Sequence, residues 1–222
     1  MNELQAREEI CRIGESLFAR GYAHGTAGNI SVRLPDDAGY LITPTDACLG
    51  FLEPSRLARL DAKLAQIGGD RASKTMALHA EIYAAATRYD PATSCIIHTH
   101  STHCVALTLR PHDQELLAPV TPYFVMNVGH VPVIPYDRPG SAEVAKQVGA
   151  TIRRYGDAGI PIRAVMLSRL GPNVWHDSAS SAMAVLEELE ETARLVCTCQ
   201  ATPDPLGEAQ IDELRRVFGA RW

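Results

Sequence analysis

The sequence predicts a layered fold of the α/β or α+β class. Apolar residues recur with helical spacing in several segments, short β-branched runs alternate with them, and neither an internal repeat nor a domain boundary is evident. The 222 residues are 46% apolar (AVILMFWYC) and 21% charged, which is an ordinary globular composition. We therefore expect one domain over 1–222, with a core at about 4–198 and a C-terminal helical tail at 205–222.

Helical periodicity is clear near the start of the chain, where Ile10, Ile13 and Leu17 share one face of a helix predicted over 3–20. Gly21 ends that helix, as a glycine after a helix often does. Further helices are predicted over 75–88 and 101–110, from the capping residue Ser141 onward, and over 178–196 and 208–218.

Short apolar segments rich in β-branched residues predict the strands. These segments lie at 30–34, 40–43, 94–99, 131–134, 163–168 and 173–175. Residues 55–67 leave two alternatives open, because their leucine spacing suits a helix while short paired strands fit as well. Residues 111–140 contain six prolines, so we expect a long loop there around the 131–134 strand.

Charge and apolar distribution argue against two classes of partner. A net charge of −5 does not suit a protein held to nucleic acid or an anionic membrane by bulk positive charge. No apolar run approaches the ~18 residues of a membrane span. The six cysteines are scattered, and the chain starts with polar residues where a signal peptide has its apolar core. We expect a cytoplasmic protein without nucleic-acid or membrane partners.

The sharpest chemical signal is the segment Cys95-Ile-Ile-His98-Thr-His100. Side chains alternate along a strand, so His98 and His100 are expected to project from the same face. Two neighbouring imidazoles suit a divalent metal, and zinc with an open position for substrate is the natural choice. A pair of hydrogen-bonded histidines at a strand end, without metal, is the alternative.

Three further segments have the composition of an anion site. The loop 25–31 (Gly-Thr-Ala-Gly-Asn-Ile-Ser) offers backbone N–H groups and polar side chains, and Ser73-Lys74 opens a helix whose free N–H groups favour anions. Together with Thr43-Pro44-Thr45 they supply hydroxyl and amide donors but one lysine, which suits a single phosphate monoester. A tight turn and a simple helix cap are the structural alternatives.

The chain resembles the class II aldolase/adducin family over about residues 4–198. Five motifs in the family's order carry the resemblance: Gly-Thr-Ala-Gly-Asn-Ile-Ser, Ile-Thr-Pro-Thr, Ser-Lys-Thr, His-Thr-His-Ser-Thr-His and Pro-Tyr-Asp-Arg-Pro-Gly-Ser. The resemblance implies a three-layer α/β/α sandwich around a mostly antiparallel central sheet. It also implies strands within 57–67 and a homotetramer whose site lies at a subunit interface.

The family's site residues correspond to two groups of positions in this chain. The resemblance implies that the pair His98 and His100 binds zinc or another divalent metal. The positions implied for the substrate phosphate are Thr26, Gly28, Asn29, Thr43, Thr45, Ser73 and Lys74.

Two positions depart from the aldolases of this family. Thr75 stands where they carry an acidic residue that serves as acid or base, and Leu170 stands where they carry a third zinc histidine. His130 is our first candidate for the missing ligand and His79 the next, and a histidine without metal is the alternative reading of either.

The missing carboxylate favours decarboxylation over aldol cleavage. Aldol cleavage needs a base for a hydroxyl proton, whereas loss of CO2 from a β-keto acid leaves its electron pair behind and needs an electron sink. The resemblance is strongest to members that convert a 3-oxo-tetronate 4-phosphate to dihydroxyacetone phosphate and CO2. A phosphorylated sugar acid is therefore the expected substrate of a carbon–carbon lyase, with Glu81, Tyr123 and Lys74 as candidate general acids.

Two alternatives stay open at this point. One is a sugar-phosphate aldolase or epimerase of the fuculose-phosphate aldolase type, and the other is a non-catalytic, adducin-like binding module.

Overall fold

The computed structural model describes residues 2–222. Its helices are α1 (Glu3–Ala19), α2 (Met76–Ala86), α3 (Thr102–Leu107), α4 (Ala142–Asp157), α5 (Ala179–Thr198) and α6 (Glu208–Phe218). Its strands are β1 (Asn29–Arg33), β2 (Tyr40–Ile42), β3 (Ala58–Leu60), β4 (Gln66–Gly68), β5 (Cys95–His98), β6 (Val133–Ile134), β7 (Ala164–Leu167) and β8 (Gly171–His176).

The eight strands form one sheet in the order β4-β3-β2-β1-β5-β8-β7-β6. Every neighbouring pair is antiparallel except β6 and β7, which run parallel. β5 therefore lies inside the sheet between β1 and β8, where both of its edges are hydrogen-bonded and its backbone is held rigidly.

Helices cover both faces of the sheet, because each face of β5 is apolar and has to be buried. Cys95 and Ile97 of β5 join the cluster formed with α1 and α5, while Ile96 joins the cluster formed with α2 and α4. The three-layer α/β/α arrangement expected from the sequence is thus confirmed.

The two regions that the sequence left uncertain have clear structures. Residues 55–67 contain short strands, so the paired-strand alternative is correct: β3 pairs antiparallel with β2 and with β4. The proline-rich segment 111–140 contains β6 as expected, and also a π-helical turn, Phe124–Val128, where we expected a loop. That turn is buried through Phe124, Val125 and Val128, so tertiary packing supports it.

The C-terminal tail packs back onto the proline-rich segment. Leu206 N–H donates to the carbonyl of Pro119, and Trp222 stacks on His130 with ring centroids 4.3 Å apart. All six cysteines are free thiols. Within residues 2–222 no helix combines the length and apolar character that a membrane crossing requires.

Candidate active site

A cavity of about 300 Å³ opens at the carboxyl end of β5. Four segments and the histidine pair surround it: the loop 26–29, residues 44–46, the start of α2 at 73–78 and residues 138–145 before and within α4. Leu167 and Leu170 add an apolar wall. A larger open groove of about 510 Å³ beside Phe51 and Arg56 contains no histidine, so the chemistry points to the smaller cavity.

His98 presents a free nitrogen lone pair, because its other nitrogen is committed. The Nδ1 atom of His98 lies 2.9 Å from the carbonyl oxygen of Pro172 in β8. A carbonyl only accepts, so Nδ1 carries the proton and Nε2 is left unprotonated. Burial, with a smaller contribution from His100, lowers the pKa of His98 to about 4, which keeps the ring neutral at neutral pH.

His100 lies beside His98, as strand alternation predicted. The ring centroids are 5.2 Å apart with planes at 67°. Two imidazoles bound to one tetrahedral Zn²⁺ through nitrogen at about 2.1 Å have ring centres about 5 Å apart. The chemistry and the spacing of this pair therefore fit a divalent metal.

The third imidazole near the pair is one that sequence reasoning missed. His24 stands edge-on to His100 with ring centroids 6.4 Å apart. Even so, no group of three His, Cys, Asp or Glu side chains within residues 2–222 is arranged to hold a metal. The only sequence signal for His24 was its place directly before the glycine loop.

His130 does not join the pair, which corrects the expectation that it supplies the third ligand. It is absent from the cavity lining, is covered by Trp222, and packs against Tyr155 with ring centroids 5.7 Å apart. Its Nδ1 atom lies 3.4 Å from a carboxylate oxygen of Glu115. The chain end that covers His130 is 92 residues away in sequence, so no local pattern shows this packing.

His79, the second candidate, is fully buried and does not line the cavity, and its Nε2 atom has no hydrogen-bond partner within residues 2–222. Tyr83 Oη contacts the carbonyls of Ser31 and Ser94 at 3.0 and 3.2 Å, so the tyrosine must donate there. Ser31 Oγ, 3.0 Å from Tyr83 Oη, therefore donates to it and accepts from Nδ1 of His79 at 2.7 Å. Burial, with a smaller effect of His98, lowers the pKa of His79 to about 3.

Unpaired polar atoms surround His98 on the sheet. Its Cα partners are Asn29 in β1 and Asn173 in β8, so the three side chains form one row on the same face. Asn173 is 0% exposed. Within residues 2–222, Asn29 Oδ1, His79 Nε2 and both amide atoms of Asn173 lack hydrogen-bond partners. Because buried polar groups are normally paired, this row has the character of a functional site.

Most of the predicted phosphate-binding residues share the cavity with the histidine pair. Those that line it are Thr26, Gly28, Asn29, Thr45, Ser73 and Lys74. Thr43 does not line it, which corrects that expectation. The hydroxyl of Thr43 accepts the N–H of Ile30 at 3.3 Å, and its carbonyl accepts the N–H of Ser73 at 3.3 Å. Thr43 thus links the segment that follows the glycine loop to the turn before α2 through hydrogen bonds.

Only one of the three candidate general acids lines the cavity. Lys74 lines the cavity, whereas Glu81 and Tyr123 do not. Glu81 accepts a hydrogen bond from Arg153 of α4 at 3.0 Å, and its carboxylate also packs over Gly149 of the same helix. Tyr123 is 62% exposed at the surface. Within this chain, neither residue is placed to protonate a ligand in the cavity.

The residues at both departures from the aldolase pattern lie in the cavity. Thr75 lines it with its hydroxyl 2.8 Å from that of Ser73, and Leu170 lines it as well. His103, the third histidine of the motif, lies on α3 and contacts Glu190 at 2.9 Å.

Arg138 also lines the cavity and was missed by sequence reasoning. Its sequence context offered one indication, a basic residue directly before the Pro-Gly turn that precedes α4.

Comparison with known proteins agrees with this arrangement. The family model of the class II aldolase and adducin N-terminal domain matches residues 8–197. The chain belongs to the class II aldolase and adducin family. The resemblance seen in its motifs is thereby confirmed, and family membership extends over both histidines and every cavity segment described above.

Relatives within the class II aldolase and adducin family match the chain along nearly its full length. It is 48% identical to the 3-oxo-tetronate 4-phosphate decarboxylase of Cupriavidus necator, with 99% of both chains covered, and 40% identical to that of Escherichia coli, with 96% of both covered. The structure of YgbL from Klebsiella pneumoniae superposes with a TM-score of 0.87 at 41% identity, covering 97% of this chain and 100% of that one. The L-fuculose-1-phosphate aldolase of Thermus thermophilus gives a TM-score of 0.71 at 25% identity, covering 88% and 93%.

Proposed function

We propose that this protein decarboxylates a 3-oxo-tetronate 4-phosphate to dihydroxyacetone phosphate and CO2. Full-length similarity to decarboxylases of that name supports the assignment. The observation that carries it in the structure is one cavity that combines a histidine pair, an anion cradle and no acidic residue at position 75. Two requirements of the reaction, a held phosphate and a polarised ketone, are then met within one site.

The substrate phosphate is held by the cradle at the start of β1 and of α2. Gly28 has φ +93°, a backbone conformation that favours glycine, and it brings the chain against the carbonyl of His98. Ser73 and Lys74 add a hydroxyl and an ammonium group from the turn before α2. Anchoring the phosphate fixes the four-carbon chain, so that its keto end extends towards the histidines.

The ketone end is oriented by His98 and His100. A zinc ion, or another divalent metal, bound by these two imidazoles would supply an electron sink for the C3 carbonyl oxygen. The Pro172 carbonyl and the close packing of β8 hold His98 in the tautomer with the proton on Nδ1, which leaves the Nε2 lone pair available to a metal. Gly171 permits this approach, because a Cβ there would lie 1.9 Å from the carbonyl oxygen of Thr99.

The chemical step requires no base on the protein. The C1–C2 bond breaks, CO2 leaves, and the electron pair remains on C2 and the C3 oxygen as an enediolate. Thr75, hydrogen-bonded to Ser73, places no negative charge beside the departing carboxylate or the developing enediolate. A carboxylate at this position would oppose both by like-charge repulsion.

A proton must then reach C2, and Lys74 is the residue proposed to deliver it. Of the three candidate acids it alone lines the cavity. Its ammonium group can transfer a proton to C2 and regain one from solvent, because the cavity is open. Replacing Lys74 by Arg keeps the positive charge but removes a transferable proton, so kcat should fall by about 10²–10⁴ with a smaller change in KM.

The remaining expectations from the sequence are also proposals. We propose a cytoplasmic enzyme in which residues 1–222 form one domain and four copies assemble into a homotetramer. Large aromatic side chains at the surface support the assembly: Phe51 is 77% exposed and Tyr123 is 62% exposed, and contacts between copies would bury such groups. A net charge of −5 supports the absence of a nucleic-acid partner.

The decisive experiment measures CO2 and dihydroxyacetone phosphate from 3-oxo-tetronate 4-phosphate with zinc-loaded protein. We expect stoichiometric formation of both, and His103→Gln, outside the cavity, serves as the matched control for His98→Gln. The same samples are tested for aldol addition of dihydroxyacetone phosphate to aldehydes. Aldol turnover without CO2 release would favour the aldolase alternative, and bound zinc without either activity would favour a binding module.

A further inference from the structure

Arg138 is a cation that lines the cavity, and it has no hydrogen-bonded or ion-paired side-chain partner within the described residues 2–222. It lies in the loop between β6 and α4 and lines the cavity together with Lys74, the other basic side chain there. Among residues 2–222 its guanidinium makes no hydrogen bond and no ion pair. The guanidinium of Arg138 is a charged, fork-shaped donor group that lines the cavity and forms no ion pair with a carboxylate. It is therefore available to a ligand.

The loop holds Arg138 in place without using its side chain. Asp137 accepts the backbone N–H of Arg138 at 2.7 Å and also the hydroxyl of Ser141, the residue at the N-cap position of α4. These hydrogen bonds, led by that of Ser141, lower the pKa of Asp137, with a smaller contribution from the charge of Arg138. The carboxylate of Asp137 therefore makes its hydrogen bonds within the turn and none to the guanidinium.

The two cations reach the cavity from different segments. Lys74 comes from the turn before α2, next to the hydroxyls of Ser73 and Thr75, whereas Arg138 comes from the turn before α4. The phosphate cradle already has backbone amides, hydroxyls and one ammonium group. A second cation, supplied by a different segment of the lining, matches a ligand with a second anionic group.

We propose that Arg138 binds the C1 carboxylate of the sugar-acid phosphate and selects it over neutral sugar phosphates; this rests on the proposed function. Guanidinium and carboxylate match geometrically through two parallel N–H···O bonds. Dihydroxyacetone phosphate, the product, lacks the carboxylate and loses this contact. Arg138 would thus favour substrate binding and product release at once.

The contact acts on binding more than on rate. The carboxylate loses its charge as CO2 forms, so Arg138 stabilises the bound substrate at least as well as the transition state. Removing the guanidinium should raise KM about tenfold or more, the usual effect of a lost hydrogen bond to a charged group, and leave kcat within about threefold. A residue that only supported the fold would not produce this split.

The test uses two probes and needs no turnover. The first probe is a 4-phosphotetronate with a C3 hydroxyl in place of the ketone, which carries phosphate and carboxylate but cannot decarboxylate. The second is dihydroxyacetone phosphate, which carries the phosphate alone. Their Kd values are measured by calorimetry on the zinc-loaded wild-type protein and on Arg138→Gln, Arg138→Lys, Lys74→Met and Lys146→Gln. Lys146 is an exposed residue of α4 and controls for loss of one positive charge.

We expect Arg138→Gln to weaken the phosphotetronate at least about tenfold and dihydroxyacetone phosphate less than about twofold. Arg138→Lys should recover part of the loss, Lys74→Met should weaken both ligands, and Lys146→Gln should change neither. Equal weakening of both probes by Arg138→Gln would assign Arg138 to the phosphate, and no weakening of either would remove it from the site. Selective weakening in a protein that releases no CO2 would overturn the proposed function while supporting the carboxylate site.

Discussion

Gly28 and the carbonyl oxygen of His98 are in such close contact that a Cβ on Gly28 would lie 2.7 Å from that oxygen. The contact joins the glycine loop directly to β5, the strand that ends at His98, since Asn29 is also the Cα partner of His98. The proposed phosphate cradle and the histidine pair therefore lie on backbone segments that contact each other directly.

This contact predicts that Gly28→Ala displaces His98. The alanine must clash with the carbonyl and also adopt φ near +93°, so we expect a loss of about 2 kcal/mol in unfolding free energy and weaker zinc binding. Gly25→Ala is the matched control, because Gly25 has φ +55° with no atom within 4 Å of its Cβ position. Urea melts and zinc titration measure both effects. Equal losses in the two variants would show that backbone strain, and not the His98 contact, is responsible.

The histidine geometry predicts which imidazoles bind metal. Replacing His98 or His100 by Gln should lower zinc affinity at least about 100-fold and abolish decarboxylation, and chelators should do the same to the wild-type protein. His130→Gln should keep its zinc, because His130 packs under Trp222 outside the cavity. Metal content after gel filtration and chelator competition are the measurements. Loss of zinc from His130→Gln alone would contradict the assignment.

Substitution of Thr75 tests why this chain lacks the acidic residue that the aldolases of the family carry at this position. Thr75→Glu should place an oxygen ligand in the cavity and raise zinc affinity about tenfold. It should also slow CO2 release, because the new charge faces a trianionic substrate. Thr75→Ser keeps the hydroxyl and controls for the substitution itself. Faster CO2 release in Thr75→Glu than in Thr75→Ser would refute the electrostatic argument.

The environment of Glu115 predicts a pH-dependent stability. Burial acts to raise the pKa of Glu115, but hydrogen bonds with His130, Tyr155 and the N–H of Val131 outweigh it and hold the pKa below its usual value. Because the folded pKa is the lower one, the stabilisation is present above the unfolded pKa of about 4.3 and is lost as the pH falls through the folded value.

We therefore expect Glu115→Gln to unfold about 1–3 kcal/mol more easily at pH 7 and to approach the wild-type protein as the pH falls through the lowered pKa of Glu115. Urea denaturation over a series of acidic pH values and at pH 7 measures the difference. Glu143→Gln, on the exposed face of α4 beside Lys146, is the control and should change stability by less than about 0.5 kcal/mol. A Glu115 effect that does not depend on pH would mean that packing, and not charge, stabilises this contact.

Local patterns in the sequence determined the layered fold and indicated several residues that line the cavity. The helical spacing in α1 and the apolar run of β5 each describe contacts within a few residues, and both are borne out. The same is true of the side-by-side placement of His98 and His100, because alternation along a strand is a local property. The family motifs likewise led to the correct family, since each lies within a short segment.

Only the tertiary structure decided how distant segments share the remaining polar groups. Glu81 accepts a hydrogen bond from Arg153, 72 residues away, and His130 stacks on Trp222 at the chain end. The guanidinium of Arg138, in contrast, lines the cavity without a hydrogen bond to the described residues. The helix that carries Glu81 shows no sign of this in its own sequence, because the pairing depends on how closely α4 approaches at Gly149. Local sequence determines which groups a segment can offer, whereas the packing of helices on the sheet determines which of those groups find a partner inside the protein and which remain available to a ligand.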